Sequence, residues 1–231
     1  MSWRAAPSAT SLSAILILVV VLLVGAPSQA TTLQGVNASE IRAPLPCSTA
    51  IFINEFHYDN EGADADEFVE IAGPAGTSLS GWFIVLYNGN GGAPYHAIEI
   101  HAVIPDQDNG FGTLHFEATG LQNSSPDGLA LVNPSNGVEQ FLSYAGSFVA
   151  VGGLADGMTS TDVGVAESGD TPVGHSLQLS GTGQCAEDFV WSGPSSDSLG
   201  AVNSGQLLIF RGSRGLLPVL GIEHVAHGDT Q

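Results

Sequence analysis

The chain has very few basic residues. It contains no lysine, and Lys and Arg together number 4 against 23 Asp and Glu, which gives a formal net charge of −19 at pH 7. Proteins hold nucleic-acid phosphates through Lys and Arg side chains that displace counterions. Direct nucleic-acid binding is therefore not expected, and neither is binding to an anionic membrane. The acidic excess favours solubility outside the cell, where salt screens the mutual repulsion of the carboxylates.

Long hydrophobic runs are also missing, apart from one near the N-terminus. Residues 14–24 are apolar and follow Arg4. Ser28 and Ala30 then occupy positions where signal peptidase requires small residues. This pattern predicts a secretory signal peptide over residues 1–30 and a secreted or cell-surface location. An uncleaved anchor is the alternative, although the run is shorter than the roughly 20 residues that cross a bilayer.

The polar residues 31–46 predict an extended linker, and residues 211–231 predict a C-terminal tail. The apolar stretch 216–222 in the tail is too short to cross a membrane, so no span is expected after signal cleavage. Between linker and tail, residues 47–210 are predicted to form one domain. Loss of Arg4 with the signal would take the net charge from −19 to −20.

A sustained helical periodicity is absent, whereas short apolar runs recur between turn residues. In the first run, Ile51 and Ile53 are expected on one face of a strand, and Phe52 and Phe56 on the other. Further strands are predicted at 67–71, 83–87, 97–103, 114–118, 129–132, 138–144, 176–179, 189–191 and 207–210. Short strands at regular spacing with apolar residues on both faces predict an all-β sandwich.

Several short blocks occur in a particular order along the chain. They are Ile53-Asn54-Glu55, EFVEI at 67–71, LSGW at 79–82, SPDGLALV at 125–132, QFLSY at 140–144, GHSLQL at 174–179 and GAVNSGQ at 200–206. Together they resemble the lamin tail domain, in the standalone form found on secreted bacterial proteins. The resemblance implies an immunoglobulin-like β-sandwich. Some similar bacterial proteins join this domain to a nuclease or another hydrolase domain.

The chain has 2 cysteines, Cys47 and Cys185, and both lie in the predicted mature part. An exported chain with two cysteines is expected to pair them in a disulfide. Two free thiols, or a bridge to a partner chain, are the alternatives.

The densest group of carboxylates lies between the first two predicted strands. Its members are Asp59, Glu61, Asp64, Asp66 and Glu67. Ca²⁺ takes several oxygen ligands from such loops, so this group is a candidate calcium site and calcium the one candidate cofactor. The spacing does not match an EF-hand loop, and a solvated acidic turn is the alternative.

Patterns typical of catalytic centres are missing. No serine lies in a Gly-x-Ser-x-Gly elbow, and no glycine-rich segment links a strand to a helix. Glu99, His101 and His115 are a further metal hypothesis, since alternation along strands can place them on one outward face as a zinc-like group. Simple exposure of these histidines is the alternative. The aromatic residues are predicted to lie in the core or at its ends: Trp82, Phe111, Trp191 and Phe210.

Residues 145–172 form a long glycine-rich passage, predicted to be an irregular loop over one end of the sandwich or a functional lid. With no catalytic pattern, the sequence predicts a non-catalytic binding, adhesion or scaffolding module whose partner is an extracellular protein or polysaccharide. One rival is an accessory domain or remnant of an extracellular metal-dependent nuclease or phosphatase. The other is a structural envelope or matrix protein.

Overall fold

The structure, a computed structural model, describes residue 47 and residues 49–124 and 126–210. The predicted signal peptide, linker and C-terminal tail lie outside these residues. Within the described part of the chain, no helix is long and apolar enough to cross a membrane.

Short runs of β-branched and aromatic residues, bounded by Gly, Pro, Asn and Asp, form the strands of the structure. A 3₁₀ turn, Ala186–Asp188, precedes the tenth strand. The strands are β1 (Phe52–His57), β2 (Phe68–Pro74), β3 (Trp82–Asn88), β4 (Pro94–Ile100), β5 (Phe111–Glu117), β6 (Asp127–Val132), β7 (Val138–Tyr144), β8 (Thr161–Asp162), β9 (His175–Gly183), β10 (Phe189–Ser196) and β11 (Gln206–Leu208).

The strands form two sheets. The first has the order β10-β9-β1-β2-β5, with β11 added to β9, and the second has the order β4-β3-β6-β7-β8. Neighbouring strands are antiparallel except for β11 with β9 and β7 with β8, which are parallel. The predicted all-β, immunoglobulin-like β-sandwich is confirmed.

The main hydrophobic core lies between the two sheets, since it combines side chains from both. Ile53 and Ile71 come from the first sheet, Ile84 and Leu131 come from the second, and all four are fully buried. Replacing such a side chain by alanine typically destabilises a domain by about 2–5 kcal/mol, because the cavity collapses only partly.

The second sheet also buries its outer face. Val85 and Tyr87 alternate along β3 with residues of the main core and pack instead against Phe148, Ala150 and Ala155. These three residues belong to the glycine-rich passage. The passage therefore packs on a face of the sandwich. The expectation that it is an irregular loop over one end is wrong.

One expected strand orientation is wrong. Ile53 pairs with Ile71 and Glu55 pairs with Glu70, so Asn54 is an extra residue in β1, a β-bulge. A bulge shifts the alternation of all residues that follow it. Phe56 consequently joins Ile53 in the main core, whereas Phe52 lies in a separate cluster.

Most of the strand bounds differ from the predicted ones by a few residues. β7 has the predicted bounds, but β4 begins at Pro94 rather than Ala97, because the turn closed by Asn88 and Ala93 pairs it with β3 as a hairpin. Val103, expected in this strand, instead bridges Ser78. Strand β8 was not predicted, since two residues are too short for a periodic pattern.

Cys47 and Cys185 form a disulfide with a Cα–Cα distance of 5.3 Å, which confirms the predicted pairing. Next to it, the backbone N–H of Ala186 donates to the carbonyl of Thr49 (3.1 Å). The disulfide therefore fixes the segment that enters β1 against the turn that enters β10.

We expect the double variant Cys47→Ser/Cys185→Ser to have a lower free energy of unfolding. The cross-link closes a loop with a sequence separation of 138. On the chain-entropy model its loss destabilises by up to about 5 kcal/mol. Urea unfolding of the variant measures this, and the wild-type protein in reducing agent serves as the control. An unchanged urea midpoint in both the variant and the reduced wild-type protein would contradict a stabilising role of the disulfide.

Candidate functional site

Asn54, the bulged residue of β1, joins three parts of the chain through its side chain and backbone. Its amide nitrogen donates to Glu70 Oε1 (3.0 Å) and to Asn203 Oδ1 (3.1 Å). Its side-chain oxygen accepts from Gln206 Nε2 (2.7 Å), and its carbonyl accepts from Asn203 Nδ2 (3.0 Å). All four residues are buried. Because buried polar groups are stable only when paired, these bonds hold the segment before β11 on the first sheet.

Two buried glutamates lie side by side next to this bulge. Glu55 of β1 is directly opposite Glu70 of β2, and the same row continues to Gln178 on β9 and His115 on β5. The two glutamate side chains are both 0% exposed. Directly opposed residues of neighbouring strands have Cβ atoms about 4.5–5.5 Å apart, so the two carboxyl groups are close neighbours.

Glu55 is surrounded by hydrogen-bond donors. Ser198 donates to it from both its backbone nitrogen (2.9 Å) and its hydroxyl (2.6 Å). Ser176 Oγ (2.6 Å) and Gln178 Nε2 (3.3 Å) also donate. These bonds attach residues 197–203 to the first sheet.

Glu70 holds the same segment through its second oxygen, Oε2, which accepts from the backbone N–H of Gly200 (2.7 Å). Burial raises the pKa of Glu70 to about 8. The negative charge of Glu55 adds to this rise, while hydrogen bonds from Asn54, Gly200 and Thr113 oppose it. A carboxyl group without a cationic partner in a desolvated site favours its neutral form.

A cleft of about 410 Å³ opens beside the glutamate row. The row of opposed residues two positions further along the strands faces the same side and lies along the cleft together with His115. Its members are His57, Phe68 and Glu117. The remaining lining residues come from loops: Asp66, Glu67, Thr119, Val173, Gly174, Asp197 and Leu199. Residues 47–210 contain no Lys or Arg. The cleft is therefore acidic, and its exposed apolar wall residues, Val173 and Leu199, contact solvent.

Of the predicted calcium ligands, Asp59 and Asp64 come close together. Partial burial raises the pKa of Asp59, and the nearby Asp64 carboxylate raises it further. Asn123 Nδ2 donates to Asp64 Oδ2 (3.1 Å). This pair is the part of the acidic loop best suited to a cation.

The other three residues of that group point elsewhere. Glu61 is exposed, Asp66 is exposed and lines the cleft, and Glu67 is buried with its Oε2 accepting from the backbone N–H of Gly120 (2.7 Å). Among the described residues, no three His, Cys, Asp or Glu side chains are grouped so that they hold a metal ion. The calcium site thus remains a prediction, centred on Asp59 and Asp64.

His57 is buried beneath the acidic loop in an ion pair. Its Nδ1 lies 2.9 Å from Glu167 Oε1, and its Nε2 lies 3.2 Å from Asn60 Oδ1. Glu167 Oε2 also accepts from the backbone N–H groups of Tyr58 (2.6 Å) and Asp59 (3.0 Å). Burial lowers the pKa of His57, but the hydrogen bond and charge of Glu167 more than offset this and raise it above its usual value. Both ring nitrogens are occupied, so His57 has no free nitrogen to act as a base in the cleft.

No pattern in the sequence indicates this ion pair. His57 and Glu167 are 110 residues apart, and Glu167 lies in the glycine-rich passage rather than in a periodic segment. Sequence patterns therefore predict neither this ion pair nor the buried pairing of Glu55 with Glu70.

The zinc-like hypothesis is wrong in its geometry. Glu99 and His101 lie on or next to β4 of the second sheet, with His101 Nε2 3.4 Å from Glu99 Oε1. His115 lies on β5 of the first sheet. Alternation places residues together only within one sheet, so these three residues do not share a face.

The glycine-rich passage contains a segment held by backbone hydrogen bonds, residues 148–160, here called the protrusion. Ser160 N donates to the carbonyl of Phe148 and Ala150 N to that of Met158, both at 2.9 Å, and Ala155 N donates to the Tyr87 hydroxyl (3.0 Å). Four large apolar side chains nevertheless face solvent, with exposed fractions of 52% for Val149, 60% for Val151, 44% for Leu154 and 39% for Met158.

The aromatic residues fit the predicted core role at most positions. Trp82 and Phe111 are buried and Trp191 is half-buried against the cores. Phe210 is 59% exposed, but its ring packs on Phe111 with centroids 4.5 Å apart. It therefore covers the end of a cluster.

Fold and geometry define an immunoglobulin-like β-sandwich domain without lysine or arginine, whose outer sheet faces carry an acidic cleft and an aliphatic protrusion. Compared with protein-family models, with characterised proteins and with solved structures, the chain has no match. Its function is accordingly inferred from its own residues.

We expect Ca²⁺ in the micromolar to millimolar range to raise the melting temperature by mass action on the folded state. Neutralising the central pair, Asp59→Asn/Asp64→Asn, should remove the effect. The control Glu99→Gln/Glu187→Gln makes the same charge change at exposed positions elsewhere and should retain it. An equal response to Ca²⁺ and to NaCl of matched ionic strength would show screening alone and contradict the site.

Proposed function

We propose that the protein is a secreted or cell-surface binding module without catalytic activity, and that the protrusion is its contact surface. The observation that carries this proposal is the row of exposed aliphatic side chains on a rigid element. Val149, Val151, Leu154 and Met158 are 39–60% exposed. Exposed apolar groups concentrated on one element are typical of interaction sites.

Three other residues of the protrusion make its contacts with the folded domain. Phe148, Ala150 and Ala155 point inward and cover the second sheet. The outward aliphatic residues are not part of that core. Because they are partly exposed, each lacks a part of the about 1.5–3 kcal/mol that full burial of such a side chain provides. Binding would recover part of this energy. Because the backbone is already held by Tyr87 and Gly92, little conformational entropy is lost on binding.

The chemistry of the protrusion favours a protein partner over a polysaccharide. Aliphatic side chains gain free energy by burying apolar area, which a protein surface offers in larger continuous patches. The domain has no Lys or Arg within residues 47–210. A partner with an apolar patch and a basic rim would therefore be steered to it.

The resemblance to the lamin tail domain is part of this proposal. Its supporting observation is that four of the blocks that carry the resemblance meet in one buried network. Asn54 and Glu55 come from the first block, Glu70 from the second, Gln178 from the sixth and Asn203 from the last. Blocks that converge on one network are what a shared fold requires.

Two rival functions are tested by different measurements. An accessory domain of an extracellular nuclease or phosphatase would bind that enzyme or its substrate. A structural envelope or matrix protein would be retained without dependence on the exposed aliphatic residues.

The double variant Val149→Ser/Leu154→Ser should lose retention on the cells or matrix of the producing organism at least about tenfold, since two anchor side chains are removed. The matched control is Val190→Ser/Leu207→Ser, two residues of the same types that are 67% and 45% exposed away from the protrusion. Labelled protein in a sedimentation assay measures retention, with melting temperatures to verify folding. Equal retention of both variants would contradict the proposed contact surface.

The mature protein is expected to hydrolyse neither DNA, RNA nor phosphoesters, with or without Mg²⁺, Mn²⁺, Zn²⁺ or Ca²⁺. Metal-assisted phosphoester cleavage needs groups that neutralise the substrate charge beside the metal, and residues 43–210 contain no Lys or Arg. Turnover that disappears in Asp59→Ala or Asp66→Ala would overturn the non-catalytic proposal.

A further inference from the structure

Residues 197–203, here called the cover segment, lie over the outer face of the first sheet. Ser198 is bound by Glu55, Gly200 by Glu70, and Asn203 by Asn54. Two residues of the same segment, Asp197 and Leu199, line the acidic cleft. The wall of the cleft is therefore attached to the sheet through the two buried glutamates.

This attachment has an unusual electrostatic arrangement. Glu55 and Glu70 are opposed neighbours, both 0% exposed, and residues 47–210 contain no Lys or Arg that would pair with them. Like charges directly opposite each other destabilise a sheet, and desolvation increases the repulsion. Ionisation of both groups is therefore unfavourable as long as the cover segment excludes water.

We propose that the cover segment is a pH-controlled wall of the cleft: it is held closed while Glu55 and Glu70 carry one negative charge between them, and it opens to admit water when both are ionised.

The hydrogen bonds assign the charge and the proton. Every partner of Glu55 in this network is a donor, so an ionised carboxylate fits there. Glu70 accepts from two N–H groups, those of Asn54 and Gly200, whereas Glu55 accepts from four donors, so the proton is assigned to Glu70. The pKa of Glu70, raised by burial to about 8, agrees with this assignment.

The titratable groups around Glu70 are few. Glu55 faces it from β1, and His115 faces it from β5 as its directly opposed residue. His57 and Glu117 lie two rows further along the sheet, on the same face, and Asp197 is the acidic residue of the cover segment. On β9, the opposed residue of the row, Gln178, does not titrate.

The sign of the pH dependence follows from proton binding. The closed state keeps the proton on Glu70 up to about pH 8, whereas an open, hydrated state loses it near the ordinary pKa of about 4.3. The closed state thus binds more protons between these values. The equilibrium constant for closure is largest in mild acid. It decreases about tenfold for each pH unit as the pH rises through this range, and it becomes constant above about pH 8.

Hydrogen–deuterium exchange of the Ser198 and Gly200 amides, followed by NMR on the intact protein between about pH 5 and 9, tests the proposal. In the wild type, the protection factors of both amides should fall with pH as stated, after correction for intrinsic exchange. In Glu70→Gln, whose neutral amide mimics the protonated acid and keeps an acceptor oxygen, they should stay constant. Glu117→Gln, an exposed carboxylate of the same cleft, is the control and should behave like the wild type.

Constant protection in the wild type, or the same pH dependence in Glu70→Gln as in the wild type, would overturn the proposal. Direct titration of the Glu70 carboxyl ¹³C signal in the wild-type protein provides a second readout that does not depend on a variant. Titration between about pH 7 and 9 supports the pH-controlled wall, and titration in the ordinary glutamate range near about pH 4 refutes it.

Discussion

The bulge at Asn54 is the constraint on which most of the first sheet depends. The extra residue reverses the alternation of β1, so that Ile53 and Phe56 both enter the main core while Glu55 faces the other side. The amide of Asn54 then bonds Glu70 and Asn203. Without these bonds, several buried polar groups would lose their partners, each at a cost of about 1–3 kcal/mol. Asn54 thereby links the packing of the main core to the attachment of β11.

The two sheets bury their outer faces by different means. The first is covered through polar contacts, from buried glutamates to the backbone of residues 197–203. The second is covered by apolar packing of Phe148 and Ala155. Contacts that depend on the ionisation of buried carboxyl groups respond to pH, whereas apolar packing does not. The first sheet is therefore suited to a controllable cleft, and the second to a rigid contact surface.

Composition and structure agree on the electrostatic character of the domain. With a net charge of −19, the chain contains few cations that could neutralise buried carboxylates. In the described part of the chain, the one buried ion pair is His57 with Glu167. Elsewhere, buried acidic groups are satisfied by hydroxyl, amide and backbone donors. The proposed partner with a basic rim would supply the positive charge that the domain lacks.

The sequence alone determined the fold class, most strand positions and the disulfide. Short-range patterning of apolar and turn residues fixes the strands, and a chain with two cysteines has one possible internal pairing. Only the tertiary structure decided the orientation of Phe56, the sheet to which His115 belongs, and the pairing of Glu55 with Glu70 and of His57 with Glu167. These features depend on a one-residue bulge, on strand order and on contacts between residues far apart in the chain. Local patterns carry no information about such contacts, since they arise only when the two sheets pack and water is excluded between their residues.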